Sequence, residues 1–148
     1  MPNFDLLHLL VWLHFVALAA AIGGGVSALM ISGLEGEQPE FQGLAAALWA
    51  KQVRWGMRIA VILGVALLVV VFQREGNPFH ERYLHLKAPL AILALVFSEM
   101  SAKSLAARKR GAALLALLLM LLAGFAVINR GAFQPRHRNE FIAPAFSK

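Results

Sequence analysis

A histidine at position 14 and a lysine at position 87 stand inside long apolar runs of this 148-residue chain. Placing a Lys at the centre of a membrane-buried helix costs about 2.5–3.5 kcal/mol, so such a residue usually faces a bundle interior and holds something. The imidazole of His14 offers a metal ligand or a redox-site base. The ammonium of Lys87 offers a ligand, a partner for a carboxylate or a proton donor. His85 is the rival to Lys87, because a His14–His85 pair would make a bis-imidazole site for haem b. The two candidates lie about 200° apart on one helix, so only one can face the first helix squarely. The smaller side chains beside Lys87 (Ala91, Ala94, Ser98, Ser101) favour it, and those beside His14 (Ala17, Ala21, Gly24, Ala28) match them. Small stripes either let helices approach closely or leave a flat wall for a planar ring. The competing explanation is plain helix packing with Lys87 snorkelling to the interface.

Other residues invite simpler readings. Glu99 is the acid inside an apolar run, and Lys103 at i+4 offers it a salt bridge. Lys51, Arg54 and Arg58 form one basic stripe flanked by Trp49 and Trp55, the mark of a membrane–water interface where phosphate headgroups are the natural partners. Met30, Met57 and Met100 suit Cu(I) as thioethers but equally fill gaps in an apolar core. His8 reads as a surface histidine. Gly23-Gly24-Gly25 lies within an apolar helix and reads as close helix contact rather than a phosphate loop. Pro89 removes the amide that would bond the carbonyl of residue 85, which predicts a kink there.

The elements that must position these groups follow from composition. Hydrophobic residues make up 59% of the chain and charged ones 15%, and the mean hydropathy is +0.68. A hydrocarbon core of about 30 Å takes roughly 20 apolar residues per crossing, and four such runs can be drawn. The expected fold is all-α, an integral membrane four-helix transmembrane bundle. Its single membrane domain covers 1–148, with helices over about 6–31, 40–72, 78–107 and 111–129. Asn3 or Asp5 caps the first helix, Pro39 sits in the first turn of the second, and Asn77-Pro78 opens the third. The first run is too long and too poor in basic residues for a signal peptide, and it stays as a helix.

In this topology the first and third helices run in the same direction. At 1.5 Å per residue His14 lies roughly 12 Å into the first helix and Lys87 roughly 13 Å past Pro78, matching depths in one leaflet. The net charge of +6 sits beside the apolar runs, so it implies a lipid bilayer partner and no nucleic acid. No cysteine is present, which removes disulfides, thiolate metal sites and iron–sulfur ligation. Lys and Arg are nearly balanced between the two sides. The compact Arg108-Lys109-Arg110 cluster and the bare N-terminus tilt the reading toward both termini outside.

Leu13-His14-Phe15-Val16-Ala17, with Gly23-Gly24 nine and ten positions after the histidine, resembles the first helix of the small bacterial membrane protoporphyrinogen oxidases (the HemJ type). Copper-resistance D membrane domains look related in the same way. Tyr83-Leu84-His85-Leu86-Lys87 is similar to the aromatic-Leu-X-X-Lys segment of that oxidase family. The resemblance implies His14 and Lys87 as a functional pair associated with haem b and with oxidation of protoporphyrinogen IX. It also implies electrons leaving to a quinone or respiratory partner, and a multi-pass protein of the cell inner (cytoplasmic) membrane. The chain departs from the family pattern where Ser27-Ala28-Leu29-Met30 lacks the family's Pro and Arg. Two alternatives stand beside it: a copper-transport membrane domain using His14 and the methionines, and a non-catalytic accessory subunit of a larger membrane complex; in each reading the expected assembly is a homo-oligomer or a larger complex.

Overall fold

In the computed structural model, Asp5 turns the chain into its first helix. Its backbone is extended (φ −76°, ψ 126°) and its carboxylate accepts from the Leu7 amide at 3.2 Å. That contact satisfies one of the donors a helix start leaves open. The structure describes residues 5–75 and 82–128. Helix α1 (Leu6–Leu34) is followed by a 3₁₀ turn (Pro39–Phe41) and α2 (Leu44–Leu48). A π-helical segment (Trp49–Val53) then leads directly into α3 (Arg54–Glu75), and α4 (Arg82–Ala106) and α5 (Gly111–Ile128) complete the chain. The fold is all-α among the described residues. Among the described residues three helical stretches are long and apolar enough to cross a membrane, Leu6–Leu34, Pro39–Arg74 and Leu84–Ala106, with a shorter apolar helix at Gly111–Val127.

The start of the second span differs from the expected one. Pro39 opens the 3₁₀ turn instead of the long helix, and the helix begins only after Gly43, whose φ of 80° suits a residue without Cβ. Gly43 has no side chain to cap α2, and Glu35 does it from across the loop: its carboxylate accepts from the buried Ala45 amide at 2.9 Å. The predicted Asn77-Pro78 cap and the polar tail lie outside the described residues. Pro89 does fall inside α4.

The helices alternate in direction. Gly24 of α1 lies against Gln52 and Ala21 against Gly56, so α1 and the α2–α3 rod are antiparallel. Arg110 donates to the Ser32 carbonyl and Gly25 meets Leu117, so α5 also runs against α1. The Ser32 bond supplies a cation and a donor at the end of α1, where carbonyls lack helical partners. The small stripe of α1 is therefore a packing surface. A Cβ added to Gly56 would stand 3.0 Å from the Ala21 Cβ and 3.1 Å from the Ala17 carbonyl oxygen.

Burial is uneven along the helices. Trp49, Val53, Met57, Ala94, Leu105, Ala113, Ala116 and Met120 belong to one core cluster. Within α1 nothing before Ala17 is buried, and within α3 nothing from Val61 to Arg74 is. Ala123 and Ala126 remain buried on α5. Burial is thus dense where α1 ends and α2 begins, the closed half, and sparse along the start of α1 and the end of α3, the open half.

Candidate functional site

His14 lies in this open half, half-buried, on the same side of α1 as Ala17 and Ala21. Its Nδ1 is 2.8 Å from the Ala60 carbonyl oxygen of α3. A carbonyl oxygen only accepts, so Nδ1 carries a hydrogen and donates it. This fixes the neutral ring as the tautomer whose Nε2 has the free lone pair. One turn further along α3, Gly64 faces the ring, and a Cβ there would sit 3.4 Å from His14 Cε1. The Gly64 backbone lets the imidazole lie close to the helix. Phe15 stands edge-on to the ring at 6.3 Å.

Lys87 is also half-buried. It lies toward the start of α4, as His14 lies toward the start of α1. His85 is exposed on the outer part of α4. His8 is exposed as well, with its Nδ1 3.8 Å from the Asp5 carboxylate. Met57 belongs to the core while Met30 and Met100 are exposed, so these thioethers do not share one environment. Among the described residues no three or more His, Cys, Asp or Glu side chains gather into a metal-binding group.

At the closed end, two expectations are corrected. Glu99 pairs across helices instead of with Lys103: its Oε2 accepts from Arg54 Nε at 2.9 Å, and its Oε1 from Arg58 Nε at 2.7 Å. Arg58 Nη2 adds a second bond to Oε2 at 2.9 Å. An i+4 partner is close by helix geometry, but the two arginines sit opposite Glu99 in the α3–α4 register and make charge-assisted, partly bidentate bonds. They are thereby engaged by the protein itself. Trp49 is also not an interface residue. It is fully buried, and its indole donates to the Ser98 carbonyl at 2.9 Å. Trp49 opens the π-helical segment, in which each turn holds an extra residue. Trp55 is the exposed member of the pair, with Arg58 over its ring at 5.2 Å.

The chain matches no protein-family model, no curated protein and no solved structure.

Proposed function

We propose that this protein is a four-helix membrane protein that binds haem b or a related porphyrin, with His14 Nε2 as the axial ligand or redox-site base. The observation that carries the reading is the His14–Ala60 contact. A ring nitrogen donating to a backbone carbonyl is the usual way a ligating histidine is oriented and made more basic at its other nitrogen. The donor set also suits this choice. A bare metal ion in a protein site usually takes three or four protein donors, whereas a porphyrin brings four nitrogens and needs one imidazole. A lone half-buried histidine fits the second case.

In this reading the Lys87 ammonium pairs with a carboxylate of the bound tetrapyrrole or delivers a proton beside His14. Haem, when bound, would supply a one-electron acceptor. In the enzymatic form of the proposal the substrate is a porphyrinogen, which loses hydrogen to become the aromatic porphyrin. Six electrons and six protons leave the porphyrinogen, and three quinones, each reduced to the quinol, accept them in turn; where His14 Nε2 acts as the base and not as the ligand, it relays the protons. The matching apolar helices support a multi-pass location, with the inner membrane as the proposed one.

The test is a haem titration of the detergent-solubilised protein, followed by its absorption spectrum. Wild type is expected to develop a Soret band at one haem per chain, His14→Ala to lose it, and Lys87→Gln to weaken binding. A wild-type protein with no saturable Soret band would overturn the reading. Full binding by His14→Ala with loss in His85→Ala would transfer the ligand role to His85.

A further inference from the structure

The junction of the π-helical segment, α3 and α4 carries more positive charge than its acid can neutralise. Lys51, Arg54 and Arg58 follow one another at i, i+3 and i+7 along the π-helical segment and the start of α3, and Lys103 follows Glu99 by one turn of α4. Glu99 is their acid, while the buried carboxylate of Glu35 is committed to the Ala45 amide. Arg58 is held by two bonds to Glu99 and by the Trp55 ring. Arg54 is held through Nε alone, which leaves both of its Nη groups without a hydrogen bond among the described residues. Its side chain is 31% exposed. Lys51 and Lys103 are exposed with no acid partner among the described residues. Glu99 thus fixes the geometry of the arginines without consuming the charge.

We propose that this junction is a binding site for the phosphodiester headgroup of an anionic phospholipid, with Arg54 as the bidentate donor and Lys51 and Lys103 closing around it. A guanidinium fork matches two phosphate oxygens, and flexible lysines extend toward the headgroup level from apolar stems. The exposed Trp55 ring beside them marks the same level. Basic clefts between membrane helices are suited to anionic headgroups over zwitterionic ones. The inference rests on the membrane part of the proposed function and not on haem, so loss of the Soret result would leave it standing.

Native mass spectrometry of the full chain, released from mild detergent with equal phosphatidylglycerol and phosphatidylcholine, tests it. Wild type is expected to retain phosphatidylglycerol selectively. Arg54→Gln and Lys103→Gln are each expected to lower its occupancy about five-fold. Lys103 is exposed, so its variant reports binding even if Arg54→Gln disturbs folding. Lys109→Gln, in the α4–α5 loop, is expected to change occupancy less than two-fold. No preference between the lipids, or an equal loss in Lys109→Gln, would overturn the site in favour of diffuse surface charge. Millimolar inorganic phosphate is expected to leave the lipid bound, and its displacement would overturn the lipid as the ligand.

Discussion

The closed and open halves of this molecule use similar residues for different ends. In the closed half small residues bring helices together: Gly56 lies against Ala21, and Ser98 and Ser101 are buried on α4. Large groups fill what remains, Trp49 above all. In the open half the same α1 stripe ends at His14, and Gly64 faces a ring instead of an alanine. Without a hydrophobic drive between helices in lipid, close packing and interhelical hydrogen bonds must supply the association. The closed half concentrates both. The open half is thereby free to keep an imidazole and an ammonium only half-covered, the condition a binding site needs.

The sharpest way to break this division is Trp49→Ala. Removing the buried ring leaves a cavity and orphans its bond to Ser98, a loss of about 3 kcal/mol. Trp12, 62% exposed in the open half, is expected to tolerate the same change within about 0.5 kcal/mol. Denaturant unfolding in micelles measures both, and equal effects would abolish the distinction.

A second comparison uses two glycines of α3. Gly56→Val forces a branched side chain against α1 and is expected to cost about 1–3 kcal/mol by overpacking. Gly64→Val meets only the His14 ring edge. It is expected to change stability less than Gly56→Val while reducing haem affinity, because the ring must leave Ala60. Thermal melts and haem titrations run on both variants separate the roles. Haem affinity reduced equally by both would argue that Gly64 has no special part.

The smallest expected effect is at the outer edge of the open half. Arg74 makes two bonds to Asp5, at 2.7 and 2.8 Å, joining the start of α1 to the end of α3. This guanidinium, with the Leu7 amide, holds the Asp5 carboxyl down at about 2 from an ordinary 3.8. A lowered folded-state value stabilises the fold fully above the ordinary value and loses that contribution as pH falls from about 4 through about 2. Melting temperature followed over that window is expected to drop less for Asp5→Asn than for wild type. Parallel curves would show that the pair contributes nothing.

How much of this was legible in the sequence depended on the range of each interaction. The helices follow from apolar runs, and Asp5 as a cap is local chemistry. The shared depth of His14 and Lys87 needs only a constant rise per residue, and both side chains are half-buried. What they bind is carried by the proposal. Glu99 was misleading because Lys103 is near in sequence, while Arg54 and Arg58 become neighbours only through the α3–α4 register. Trp49 was misleading because an aromatic next to basic residues has the pattern of an interface, and a π-helical turn is not written in hydrophobic periodicity. Glu35 reads as one of several loop acids until Gly43 leaves α2 without a capping side chain.

The central claim is that His14 Nε2, presented by the Ala60 contact, is the atom that holds the tetrapyrrole. Haem titration of His14→Gly with and without added imidazole tests it most directly. The Soret band is expected to vanish in the variant and to return when imidazole occupies the emptied space. A variant that binds haem as wild type does without imidazole would contradict the claim.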